Sequence, residues 1–291
     1  MRSSSLFAPS LFWLAACAAP TGPATQRDPV AVAEAGWTRS DAAAFAEALP
    51  DDAIQARLLQ AARTVLEHRR RIALENLANV GSIGWKRRIA LVSTQPLTTA
   101  DGQQHVAPTV RGSALVFTPG PLEATGRALD VAIDGDGLFA VTCADGRTAY
   151  TRDGRWQVDA SGKLRTGEGL VVLPEITLPS DALELVVDPQ GHVRVRTAGS
   201  PDTDTLLGQL TLHRFVNPAR LRSESSLWFP CEETGAPISG APGLYGLGCL
   251  RQAMLERGNV DAAQELHELQ ACERQLRDLL VALRSFGTTA P

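Results

Sequence analysis

The residues able to do chemistry do not converge on one reaction. His68, His105, His192, His213 and His267 show no metal-ligand spacing. Cys143, Cys231, Cys249 and Cys272 are widely separated, with no Cys-x-x-Cys pair or Cys/His cluster, so no zinc site is expected. In an exported chain they could form disulfides, and sequence alone does not give the pairing. Glu232-Glu233 falls in a loop without a visible partner. Asp134-Gly135-Asp136-Gly137 invites comparison with a calcium loop, but the further acids and the bidentate Glu are missing, so it reads as a β-turn. There is no Gly-x-Ser-x-Gly elbow, no Walker A loop and no Gly-x-Gly-x-x-Gly opening a helix. The expectation is a chain that is not an enzyme, with no metal, no cofactor and no small-molecule substrate. Two basic runs, Arg69-Arg70-Arg71 and Lys86-Arg87-Arg88, read as a solvated helix face and a turn. A net charge of −4 adds no pull toward nucleic acid, so no such partner is expected.

One cysteine does suggest chemistry. Met1 to Ser5 carries one positive charge, and Leu6 to Ala16 is largely apolar, with Pro9 inside it. That run is too short for a spanning helix of ~20 residues. It has the layout of an export signal over 1–17. Leu14-Ala15-Ala16-Cys17 resembles the lipobox of bacterial lipoproteins, which implies lipidation of Cys17 and a membrane anchor. Residues 18–50, rich in Ala, Pro, Thr and Gly, read as a tether. A short helix could run within it from Ser40-Asp41 to Leu49.

The elements behind these residues are of two kinds. Hydrophobic residues make up 44% of the 291 and aromatics only 5%, so a core would be mainly aliphatic. Ile54, Leu58, Ala61, Val65, Ile72 and Leu77 form one stripe at spacings of three, four or seven. This predicts a helix from Asp51-Asp52 to about 79, ended by Gly81 and Gly84, within a segment 51–88. Asn76 and Asn79 suit its last carbonyls. From 89 to 258 short apolar runs alternate with turn residues, among them Asp145-Gly146, Asp153-Gly154 and Ser161-Gly162. This predicts antiparallel β structure, with a core module over about 126–200. Tyr150 and Trp156 read as packed aromatics. In 259–291, Asn259 reads as an N-cap. Ala262, Leu266, Leu269, Leu276, Leu280 and Leu283 repeat in a four-three pattern. The fold class is α+β: a mainly antiparallel β centre with amphipathic, coiled-coil-like terminal helices that pack together.

Three segments resemble one family. They are Asn76-Leu77-Ala78-Asn79 through Gly84-Trp85-Lys86-Arg87; Gly126 through Gly135, Gly137 and Phe139, joined by Tyr150-Thr151-Arg152-Asp153-Gly154 and Val158 to Gly162; and Gly258-Asn259-Val260-Asp261 through Leu266. In this order and separation they resemble the axial proteins of the bacterial flagellum, the basal-body rod and hook subunits, and among them the distal-rod type. The resemblance covers roughly 51–286. It implies a structural subunit of the flagellar basal body that polymerises through its terminal helices and supports motility, with itself and other rod or hook subunits as partners. The implied assembly contacts are Ile54, Leu58, Val65 and Ile72 with Leu266, Leu269, Leu276 and Leu280. The same pattern would be satisfied by the two helices pairing within one chain. Such subunits normally lack a cleaved signal, whereas a lipobox implies general secretion. That leaves a lipid-anchored periplasmic scaffold or binding protein reusing the fold, or a later start such as Val30, as alternatives.

Overall fold

The computed structural model describes residues 52–98, 102, 104–224 and 226–287. The signal, the lipobox cysteine Cys17 and the tether lie outside the described residues. By the packing of the chain, two compact units emerge. One takes the described parts of 1–74, 89–113 and 263–291, and the other 75–88 and 114–262.

The first unit holds most of helix α1 (Asp52–Ala78), helix α2 (Ala262–Gly287) and a two-stranded ribbon, β1 (Arg88–Thr98) with β2 (Gln104–Leu115). Both helices are far longer than the ~12-residue average. Each therefore needs partners along its length, because an isolated apolar stripe buries too little to hold a helix. α1 finds two. Leu59, Ala62 and Leu66 cluster with Cys272 and Leu279 of α2, with Leu276, Ala282 and Leu283 packed against them. Ile54 and Leu58 face the other way and cluster with Ala107 of β2, beside Leu97 of β1. Ion pairs flank the helix seam. Arg69 donates to Glu268 at 2.6 Å, and Arg70 lies 3.7 Å from Glu273.

α2 has one partnered row. Leu269, Cys272, Leu276, Leu279 and Leu283 repeat three-four-three-four, preceded by a buried Glu265. The row proposed from sequence included Leu266 and Leu280, and these are 48% and 40% exposed. Leu269, Leu276 and Leu283 stay in the row, while Glu265, Cys272 and Leu279 take the inner positions in place of Leu266, Glu273 and Leu280, with the small Cys272 buried against α1.

The second unit is β-rich. A seven-stranded sheet runs in the order β14 (Arg222–Glu224), β15 (Leu227–Phe229), β6 (Thr148–Thr151), β5 (Phe139–Thr142), β9 (Val171–Leu173), β8 (Leu164–Thr166), β7 (Trp156–Val158). Every pairing in it is antiparallel. β10 (Ala182–Val187), β11 (His192–Thr197) and β12 (Ser200–Gln209) form a second antiparallel sheet. Three pairs complete the unit: β13 (Leu212–Arg214) with β16 (Ile238–Gly240), β17 (Cys249–Gln252) with β4 (Val131–Asp134), and β18 (Met254–Glu256) with β3 (Leu122–Ala124). The Asp145-Gly146 turn joins β5 to β6 as the sequence predicts, with Gly146 at φ 82°. The largest core cluster is aliphatic apart from Phe139 against Trp156, whose rings meet edge-on at 5.1 Å, and a second cluster gathers Tyr150, Phe215 and Trp228. Among the described residues no helix is long and apolar enough to cross a membrane.

Candidate functional site

The three segments singled out in the sequence meet in the second unit. The first supplies the turn after α1, where Lys86 is fully buried. Its ammonium donates to Glu256 Oε1 at 2.7 Å and to the Thr118 carbonyl at 2.9 Å. The second supplies Arg152, equally buried, with Nε 3.1 Å from Glu256 Oε2 and Nη2 donating to the Gly135 carbonyl at 2.7 Å. The Arg152 Nε contact is an ion pair not aligned as a hydrogen bond, and Nη1 has no acceptor. Glu256 ends β18, just before the third segment, and its Oε1 also accepts from the Gly120 amide at 2.8 Å. One carboxylate thus serves two cations and a backbone donor, its Oε2 facing Arg152 without a hydrogen bond.

Burial dominates the electrostatics. Loss of hydration, reinforced by the Arg152 charge, pulls Lys86 down from 10.5 to about 8 against the pull of Glu256. Burial also lowers Arg152, against the same carboxylate. A charged trio is retained here at a desolvation cost, so it specifies how the segments fit more than it adds stability.

Hydrogen bonds fix the rest of the junction. Asn76 was expected to cap α1, but its amide pairs with both backbone groups of Arg88, donating to the carbonyl and accepting from the amide at 2.9 Å each. Asn79 does bond a helix carbonyl, that of Glu75, at 2.8 Å. Asn259 is not the N-cap read from the sequence, because α2 begins only at Ala262. Its Oδ1 accepts from the Arg87 amide at 2.6 Å and its Nδ2 donates to the Val116 and Thr118 carbonyls. Gly84 has φ 67°, and a Cβ there would lie 2.8 Å from the backbone of Arg152 and Asp153.

The remaining motif residues shape the sheet. Leu77 is half-buried and Ala78 exposed at the end of α1. Gly137 approaches Leu212 closely, and Phe139 and Tyr150 are core residues. Tyr150 meets Phe215 edge-on at 4.9 Å. Thr151 Oγ1 accepts from the Asp153 amide, the Asp153 carboxylate takes Arg155, and the Gly154 carbonyl accepts from Val131. The reading of Lys86 as part of a solvated basic turn is corrected by its burial. Glu256 was missed. A single Glu in an alternating strand carries no sign that one of its partners, Lys86, lies 170 residues away.

Nothing here resembles a reaction centre. Among the described residues no His, Cys, Asp or Glu group converges as a metal site, and Cys143, Cys231, Cys249 and Cys272 are free thiols. What the junction can do is hold a helix end and a β unit's motifs in one geometry.

Known proteins are similar to this chain in sequence. Residues 132–195 match a family model described as Flagellar hook protein FlgE/F/G D1 domain. The flagellar basal-body rod protein FlgG of Buchnera aphidicola subsp. Acyrthosiphon pisum is 36% identical over 219 residues, 70% of this chain and 84% of that protein. The chain belongs to the flagellar rod and hook protein family. The FlgG of Agrobacterium fabrum is 34% identical over 239 residues, 76% of this chain and 89% of that protein. The flagellar basal-body rod protein FlgF of Escherichia coli is 28% identical over 246 residues, 82% of this chain and 96% of that protein. In this rod-family chain the junction residues hold segments of one unit together through ion pairs and hydrogen bonds.

Proposed function

We propose that this chain is a structural subunit of the flagellar basal body, of distal-rod type, which polymerises through its terminal helices and supports motility. It is not an enzyme in this reading, and its partners are copies of itself and other rod or hook subunits. Relatives named as basal-body rod proteins support the reading. The observation that carries it is the one-sided α2. Its inner row is spent on α1, while Leu266 and Leu280, two heptads apart, and Val281 stay exposed. Exposed apolar side chains at two levels of one long helix suit contact with a partner helix.

The contacts expected from sequence then divide. Ile54, Leu58, Val65 and Ile72 are buried in the folded chain, and Leu269 and Leu276 are partly covered. The stripe of α1 is satisfied within its own unit, because ribbon and α2 cover two of its faces. Assembly through the outer α2 face is tested by Leu266→Asp with Leu280→Asp. The double variant should fold, remain soluble and fail to restore motility to a deletion strain. Normal motility would overturn the reading.

The Leu14-Ala15-Ala16-Cys17 pattern favours an added lipid anchor on the periplasmic side. Cys17→Ser should abolish fatty-acid labelling, and unchanged labelling would remove the anchor. The anchored scaffold outside the flagellum is the weaker alternative, since the relatives carry rod names.

A further inference from the structure

Helices α1 and α2 run antiparallel. Arg69, late in α1, donates to Glu268, early in α2. Leu59, Ala62 and Leu66, earlier in α1, cluster with Cys272 and Leu279, later in α2. Moving back along α1 toward Asp52 therefore means moving toward the end of α2, and the residues before Asp52 join the unit at that end. The outer face of α2 there is apolar and basic. Leu280 and Val281 are 40% and 66% exposed. Arg274, Arg277 and Arg284 are exposed at seven, four and three residues from Val281, spacings that share a helix face. Of the acids on these turns, Glu273 sits 3.7 Å from Arg70, which leaves Asp278.

The sequence just before α1 has the complementary chemistry. Ser40 to Asp52 contains Asp41, Glu47, Asp51 and Asp52 and no Lys or Arg. Ala42, Phe45, Ala46 and Leu49 recur at three and four, so the helix expected over 41–49 would carry one apolar stripe. Pro50 ends such a helix, and α1 starts at Asp52, so the two would be joined by the short link of a helical hairpin. Nine helical residues extend ~13 Å at ~1.5 Å each. From the end of α2 that length covers Leu280 and Val281 and falls short of Leu266.

We infer that residues 41–49 dock as a short helix on the outer face of the last turns of α2 in the same chain. Phe45 and Leu49 lie over Leu280 and Val281, and Asp41 points back along α2 toward Arg274 and Arg277. Ala42 and Ala46 let the two backbones come close. A link of a few residues gives the segment an effective concentration on the order of mM, so a small apolar contact with a few charges suffices to hold it. The occupant covers, within one chain, part of the surface that the rod reading assigns to assembly. The consequence rests on that reading: the segment holds subunits apart until a partner helix displaces it.

The test uses the full chain, purified in detergent at a concentration where it is monomeric, with p-benzoylphenylalanine at position 45. Irradiation should give links within one chain to residues between Arg274 and Arg284. Links only between chains, links to other segments, or none would overturn the docking. A second readout uses Phe45→Asp with Leu49→Asp, which leaves the seam of α1 and α2 intact. Hydrogen exchange over 274–284 should quicken roughly tenfold in this variant, the factor for about 1.4 kcal/mol of lost cover. Unchanged exchange overturns the docking. The critical concentration for assembly should fall by a similar factor, and an unchanged value overturns the claim that the segment opposes assembly. A wild-type chain that gives the expected links but never assembles removes the rod reading and leaves the docking. Assembly of a chain that gives no such links removes the docking alone.

Discussion

The helical unit and the β-rich unit handle their surplus groups in opposite ways. The β-rich unit buries two cations and answers both with one carboxylate from the same unit. The helical unit covers both apolar faces of α1 and leaves an apolar row of α2 open. The first arrangement fixes how segments of one unit fit, although Arg152 Nη1 and Glu256 Oε2 are left without hydrogen bonds. The second leaves apolar side chains in solvent, the surface that the proposed assembly would use. A subunit for assembly needs both, a fixed body and an unsatisfied edge.

The strongest way to break the contrast is to remove the shared carboxylate. Glu256→Gln leaves Lys86 and Arg152 buried without their anion, and should cost about 3–5 kcal/mol in denaturant unfolding of the full chain. A loss below about 1 kcal/mol would mean the junction relaxes or admits water, and would weaken the claim that one buried carboxylate holds both cations.

Next comes the inner row of α2. Leu279→Ala removes a buried side chain from the seam with α1 and should cost about 3 kcal/mol by cavity formation. Thermal unfolding followed by helix ellipticity reads it directly.

The pH response of Lys86 sharpens the comparison from the other side. Its value is about 8 in the fold against 10.5 unfolded. Below about 8 both forms hold the proton, and the cost of burying the charge is present in full. Between about 8 and 10.5 the unfolded chain binds the extra proton, so stability rises with pH. The stability of the wild type relative to Lys86→Met should therefore increase by up to about 2–3 kcal/mol from pH 7 to pH 10. A flat or falling difference would show that Lys86 is not held in this desolvated pair.

The smallest effect on folding belongs to the outer face. Leu266→Ala should change monomer stability by less than about 0.5 kcal/mol, the usual limit for surface substitutions. The same variant should weaken assembly measurably in sedimentation. A stability loss like that of Leu279→Ala would place Leu266 in the seam.

Particular residues show how far the sequence is legible. Helix α1 lies within a residue of its expected bounds, because caps, glycines and period agree. The antiparallel β centre was readable from turns such as Asp145-Gly146, where Gly146 takes a φ of 82° that few other residues tolerate. Which row of α2 faces inward was not. Leucines at 266 and 280 look the same as those at 276 and 279, and the choice depends on packing by α1. Lys86 and Glu256 were not readable as a pair either. A lysine in a basic run and a glutamate in a strand both resemble surface residues until folding brings them together. Asn76 and Asn259 show the same limit: their amides bond backbone groups supplied by strand and loop segments elsewhere in the chain.

The central claim, that this chain is a rod subunit, meets its most direct test in purified basal bodies. Quantitative mass spectrometry of detergent-extracted basal bodies from the native organism should find it in fixed ratio to the other axial subunits. Its absence from those particles, with normal swimming after deletion of its gene, would contradict the account.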